Sequence, residues 1–431
     1  MTMQANAKRM EEFLTYLTKD IGIRLAGTKE DVQAVEYITS FLKRSGISSR
    51  IETYPVLSRQ VGKQLLELEI DGQWKRYPCS LFSSVPGTDG KLFEAPVVFF
   101  AGPVDYQRQD LSFLKRKAVV HLGCHIESRE NYRRLMQAEP AFMLFVDIRH
   151  PGDVPLADGM FPAYTRDLGA RPTLNVAFKD AWEWKQKNAT RARIQIEGGM
   201  VPSQSHNVII ELPGTDPEAG WLYAGAHYDT QADTVGADDD GSGTTILLEM
   251  AALLKDRPRK RGIRLIAFGA EEQLSVGSAS YVRQHRAEIE KYGRFMLNFD
   301  SCGAAMGWYK INGNGPKAML EFVQKAFQER DRFAGMSEEV IPYTDQFPFA
   351  VCGVPGVWVH RECCSSGCVW HHRFDDDLRH ISFSELALCC ETGAGILDQL
   401  ANTEKMPFDR QIAPEQKRKL ENQWIDLYGG W

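Results

Sequence analysis

The sequence predicts an α/β protein: a mixed, mostly parallel sheet sandwiched by helices, with a β-rich insert domain. Three observations predict it. From Asn207 to Leu400, apolar runs of strand length alternate with helical stretches, the pattern of a sheet covered on both faces. Between about Leu57 and Gly199 the texture changes to short strand candidates parted by Pro- and Gly-bearing loops. Chemistry-bearing side chains then collect where the predicted strands end, as open α/β sheets require of a ligand site.

Residues Arg9–Phe41 read as helices. Phe13, Leu14, Leu17, Ile21 and Ile23 recur at helical spacing, followed by Val32, Val35, Ile38, Phe41 and Leu42. Gly46 closes the second helix, and Ser48–Tyr54 alternates into a strand. The insert, 58–202, holds strand candidates Leu65–Ile70, Val97–Phe100, Ala118–Leu122, Met143–Val146 and Ala192–Ile196, with one amphipathic helix at Ser128–Ala138. Gly198–Gln204 marks its exit. Strands are then expected at Asn207–Leu212, Trp221–Ala226, Ile263–Phe268, Phe295–Phe299 and Gly356–His360. Helices are expected at Thr244–Leu254, Ser278–Glu290, Pro316–Arg330 and Phe383–Leu400, with a further helical stretch, Pro414–Leu427, in the polar tail. The main domain is thus discontinuous, 1–57 and 203–431, with 401–431 as its tail.

Composition bounds the function. The chain has 431 residues, 43% apolar and 25% charged, the balance of a globular protein. Its formal charge of −6 argues against a nucleic-acid partner, which needs a basic face. No apolar run approaches the roughly 18–20 residues that cross a bilayer, so no membrane partner is expected. Met1–Lys8 lacks the apolar core of a secretory signal, and nine cysteines, some adjacent, suit a reducing cytoplasm. Cys364 and Cys368 are close enough in sequence to pair or to mimic a metal clamp; reduced thiols are the simpler expectation.

The strand ends carry the chemistry. Trp221–Ala226 runs into His227-Tyr228-Asp229, Ile263–Phe268 into Gly269-Ala270-Glu271-Glu272, and Phe295–Phe299 into Asp300. Gly236–Gly243, containing Asp238-Asp239-Asp240, opens the helix after the first of these strands, and Trp370-His371-His372 follows the last. Singly, each has an ordinary structural reading as a satisfied histidine, a turn or a solvated acid. Jointly they supply what two zinc ions need: imidazole and carboxylate donors, one carboxylate to bridge, and a spare acid. Asp229 is placed to orient His227. Of Glu271 and Glu272, one suits a metal and the other a general base. Gly241 and Gly243 permit close backbone approach, and Ser242 sits where a helix N-cap would be useful.

At these residues the sequence resembles the family-28 metallopeptidases, the co-catalytic di-zinc aminopeptidases. The matching motifs are Ala226-His227-Tyr228-Asp229, Gly236–Gly243, Phe268–Glu272, Gly277-Ser278, Asn298-Phe299-Asp300 and His372–Asp376, and the insert resembles a protease-associated domain. The resemblance implies two Zn2+ per chain. His227 and Asp300 would be terminal ligands of one ion and Glu272 and His372 of the other, with Asp239 bridging. Glu271 would be the general base and Asp229 the support of His227. Aligning Asp376-Asp377-Leu378 with the family's Asp-Thr-Leu selects His372 and leaves His371 as an alternative. Thr344-Asp345-Gln346 stands where the family often has Ser-Asp-His. The implied activity is hydrolysis of the N-terminal peptide bond by a water held between the ions, on peptides with a free N-terminus. Carboxypeptidase or dipeptidase action, glutaminyl-cyclase-like aminoacyl transfer and an inactive binding scaffold are the alternatives on this fold. No GxSxG elbow supports a serine nucleophile.

Overall fold

The computed structural model of the chain describes residues 3–123, 126, 128–149, 151–362 and 369–431. The Cys364–Cys368 question lies outside the described residues; Cys302, Cys352, Cys389 and Cys390 are thiols. Two compact units divide the chain. One gathers the residues up to Val56, Gln204–Trp424 and Trp431; the other gathers Leu57–Ser203 and Ile425–Gly430.

The first unit is built on a mixed sheet. Its strands lie in the order Ala334–Ser337, Trp308–Asn314, Gly356–Glu362, Gly293–Phe299, Trp221–His227, Gly262–Phe268 and the distal part of Arg191–Leu212. The four strands from Gly356–Glu362 to Gly262–Phe268 run parallel, and each end of this block meets an antiparallel neighbour. Parallel strands covered on both faces must be apolar throughout, and Trp221–His227 and Gly262–Phe268 are buried almost end to end. On one face Ala7–Thr15, Gly241–Leu254, Lys317–Gln328 and Phe383–Asn402 share a core with Leu222, Ala224, Leu265, Leu297 and Val357. On the other, Val276–Tyr292 and Gln346–Val351 pack over Tyr223, Ile266, Phe268 and Met296. Gly241–Leu254 is apolar nearly all round because both of its sides are covered.

The chain leaves Trp221–His227 for Gly262–Phe268 on one side, then crosses to Gly293–Phe299 on the other. Such a reversal of strand order opens a crevice at the carboxyl ends of the strands.

In the second unit Phe93–Ala101, Ala118–Leu122, Phe142–Val146 and Thr173–Asn175 are parallel, with Ser80–Leu81 antiparallel at the edge. The short helix Gly102–Asp105 and the longer helices Arg129–Gln137, Pro162–Leu168 and Phe178–Gln186 accompany them. The tail residue Asp426 belongs here and accepts the Tyr164 hydroxyl at 2.9 Å. The exit expected at Gly198–Gln204 holds the division between the units, at Ser203 and Gln204, but it lies within one strand, Arg191–Leu212. Gly198 holds φ +81°, and a Cβ there would collide with the Gln60 carbonyl, so only glycine fits the close approach of the two segments. Among the described residues, no helix is long and apolar enough to cross a membrane.

Candidate metal centre

Parallel pairing sets His227 directly beside Phe268, so the two loops that follow these strands leave the sheet together. Asp300 follows Phe299 on the neighbouring strand. His227 Nε2 lies 3.2 Å from Asp239 Oδ1, 3.8 Å from Glu271 Oε2 and 3.9 Å from Asp300 Oδ1. His372 Nε2 lies 3.4 Å from Asp239 Oδ2 and 3.1 Å from Glu272 Oε2. His371 Nδ1 is also 3.4 Å from Asp239 Oδ2. Thus Asp239 faces His227 with one oxygen and the two adjacent histidines with the other. All the residues singled out in the sequence gather here, and both His371 and His372 reach the site.

The donor chemistry fits zinc. Donors on a tetrahedral zinc with bonds of about 2.0–2.1 Å stand roughly 3.3–3.4 Å apart, close to the spacings around Asp239. His227 Nε2 and Glu272 Oε1 are buried and make no hydrogen bond, as ligand atoms that face cations would. The described residues form three donor groups: His227–Asp239–Glu272, Asp239–His371–His372 and His227–Asp240–Asp300. Asp240 has another occupation. Its two oxygens accept backbone N–H from Gly243 (2.7 Å), His227 (3.1 Å) and Ser301 (3.2 Å), which makes it a scaffold beneath the ligands.

The helix at Gly241 is therefore capped by Asp240, not by Ser242. A carboxylate at a helix N-terminus makes charge-assisted bonds that a hydroxyl cannot match. Ser242 instead donates to the Asp238 carbonyl and accepts Cys302 N–H. The glycine at 243 is needed, since a Cβ would lie 2.5 Å from Asp240 Oδ2.

Asp229 touches more than His227. Its oxygens accept the Glu271 N–H at 3.0 Å and the Glu272 N–H at 3.3 Å, while His227 Nδ1 stands 3.5 Å from Oδ1. The glutamates sit in a tight turn bounded by left-handed Ala270 (φ +54°) and Leu274 (φ +69°), the kind of backbone strain that collects at functional sites. Ser275 Oγ donates to Glu271 Oε1 at 3.0 Å.

Two supports carried no role in the sequence reading. Asp376 accepts the N–H groups of Asp238 (2.9 Å) and Asp239 (3.1 Å), fixing the loop that presents Asp239. Arg24 is fully buried and donates to the carbonyls of Tyr228, Gly22, Val235 and Gly236. Nothing local marks Arg24 in the sequence, because its partners come from distant loops.

Burial governs the electrostatics. It pushes the Glu271, Asp240 and Asp376 carboxyls well above the ordinary range, raises Glu272, and raises Asp300 and Asp345 to about 7. Burial would also raise Asp239, but His227, His371 and His372 hold it well below the usual value. Burial opposes charge on His227, yet Asp229 and Asp239 keep its protonated form well above the ordinary histidine value. So dense a group of buried acids calls for compensating cations or protons.

Comparison with known proteins agrees with this chemistry. Residues 207–395 match the model of Peptidase family M28. Aminopeptidase YwaD of Bacillus subtilis is 25% identical over 435 residues, covering 98% of this chain and 90% of its own length. Carboxypeptidase Q of Rattus norvegicus is 25% identical over 417 residues, covering 92% of this chain and 86% of its own length. Among solved structures, BSAP, a zinc aminopeptidase from Bacillus subtilis, shares the fold with a TM-score of 0.77 at 20% identity, covering 95% of this chain and 98% of that one. Residues 207–395 are thus similar to peptidase family M28, and they carry the strand-end donors on a fold shared with a zinc aminopeptidase.

Proposed function

We propose that this peptidase is a di-zinc aminopeptidase that removes the N-terminal residue of peptides. The observation that carries the reading is Asp239, whose two oxygens face His227 and His372 at 3.2 and 3.4 Å, the placement of a carboxylate shared between two cations. His227 and Asp300 would hold one ion, Glu272 and His372 the other. Bound zinc would polarise the scissile carbonyl and lower the pKa of an attacking water.

The protein's part is to position and to move a proton. Glu271 lies within 3.8 Å of His227 but belongs to none of the three donor groups, leaving its carboxylate to take a proton from water and hand it to the leaving amine. Its burial-raised pKa, opposed by the charge of His227, suits alternating base and acid roles. Asp229 acts through others, holding the Glu271–Glu272 backbone and the His227 ring.

The charge around the site favours a substrate's amino end. Beyond the ligands stand the buried acids Asp229, Asp238, Asp240, Asp345 and Asp376. Arg24, the guanidinium beside them, directs its donors at backbone carbonyls. Those of these acids that stay ionised around the bound ions would attract an entering ammonium and repel an entering carboxylate. Similarity to Carboxypeptidase Q supports one second reading, cleavage at the carboxyl end. The test is a panel of aminoacyl-arylamides beside N-blocked peptides with free carboxyl ends, using zinc-loaded protein. Hydrolysis confined to unblocked substrates is expected; release of C-terminal residues from blocked peptides would overturn it.

A further inference from the structure

The geometry points to His371 as a metal ligand together with His372, so that the ion on that side is held by Asp239, Glu272, His371 and His372. The inference rests on the di-zinc reading above and departs from the single histidine that the family's motif supplies at this position.

Two independent features carry it. His371 Nδ1 and His372 Nε2 each stand 3.4 Å from the same oxygen, Asp239 Oδ2, and the three form one of the donor groups of the site. That spacing is the edge of a tetrahedron around zinc with bonds of about 2.0–2.1 Å. Second, His371 and His372 lie in the turn that follows Val369–Trp370. Here His372 adopts φ +55°, and the two rings stack 3.6 Å apart on one side of the chain. A non-glycine residue held in the left-handed region is a cost the fold sustains, and its result is to aim both imidazoles at Asp239.

The two ions would then differ. With His371 added, the ion on the His372 side would have four protein donors, while His227, Asp239 and Asp300 would leave the other ion a vacant position. Closed shells hold structural zinc, and open ones serve catalysis. Substrate exchange would therefore belong to the His227 side, which is also the side of Glu271.

The test measures metal binding directly. The full-length apo-protein, His371→Ala, His371→Asn and His372→Ala are titrated with Zn2+ against a chromophoric chelator, and visible spectra are recorded with Co2+. Thermal melts of the apo-proteins check folding; His371 is partly exposed, so its replacement should leave the fold intact. Both His371 variants are expected to weaken one of two zinc sites by at least about 10–100-fold, the range that even outer-shell changes produce. The same site should weaken in His372→Ala, the other site should keep its affinity, and the Co2+ bands should shift. Wild-type affinities and spectrum in both His371 variants, with a site lost in His372→Ala, would overturn the inference and leave the di-zinc reading standing. A wild-type chain that binds fewer than two zinc ions would overturn the di-zinc reading, and the inference with it.

Discussion

Glu271→Gln isolates the proton-transfer step. Glutamine keeps the shape of the side chain and an oxygen to accept the Ser275 hydroxyl, now 3.0 Å from Glu271 Oε1, but it cannot accept a proton. The backbone N–H of residue 271 stays bound to Asp229, so the turn that presents Glu272 is undisturbed. General-base catalysis contributes about 10²–10⁴-fold, or roughly 2.7–5.5 kcal/mol of barrier, and kcat should fall by that factor. Because Glu271 lies outside the three donor groups, zinc content should remain that of the wild type. The assay pairs kcat on an aminoacyl-arylamide with bound zinc measured on the same preparation. A loss below about tenfold with zinc fully bound would refute the base assignment. Zinc lost together with activity would move Glu271 onto the metal instead.

Asp229→Asn places an amide N–H against the backbone donors of Glu271 or Glu272, and metal affinity should fall about 10–100-fold with every proposed ligand intact; an unchanged zinc titration would refute its positioning role. Zinc uptake by the apo-protein at pH 6 should release protons, since Asp300 is raised to about 7 and His227 well above the usual histidine value. Affinity should therefore climb with pH, and calorimetry in buffers of different ionisation enthalpy that found no pH dependence between 6 and 8 would contradict this. In the second unit, burial lowers His121 from 6.5 to about 4, so the unfolded chain takes a proton that the folded one refuses. That contribution is fully present above pH 6.5 and is lost as pH falls toward 4, a decline of about 3 kcal/mol. His121→Phe should flatten this part of the urea-measured stability profile, and an unaltered acid limb would show that another group controls it.

How much could be read beforehand follows from the range of the forces involved. Trp221–His227, Gly262–Phe268 and Gly293–Phe299 were legible because a strand buried on both faces is a short apolar run, and the polar residue that ends it stands out. That rule located His227, Glu271 and Asp300. Trp308–Asn314 and Ala334–Ser337 escaped: WYKINGN and AGMS carry neither an apolar run nor a clean alternation, and pairing with neighbours makes them strands. The long strand Arg191–Leu212 was read in pieces because Gly198, Gly199 and Pro202 signal turns locally, whereas the close approach at Gln60 rewards Gly198. Asp376 lay inside a quoted motif without a role, since its service to the Asp238–Asp239 backbone depends on two loops far apart in sequence.

The supporting acids follow a common plan that explains why so many carboxylates are tolerated. Asp229 binds the backbone of Glu271 and Glu272, Asp376 that of Asp238 and Asp239, and Asp240 that of His227 and of Ser301 beside Asp300. Each outer acid thus grips the main chain of an inner donor, leaving the donor's side chain facing the cations. Backbone N–H groups satisfy the outer oxygens in a dry environment, where an unpaired carboxylate would be far more costly. The arrangement fixes the donors before a metal arrives, so binding need not order them. Removing an inner acid deletes a donor and should abolish its site. Removing an outer acid only loosens the placement of donors that are still present, so affinity should decline without a change in the number of ions bound.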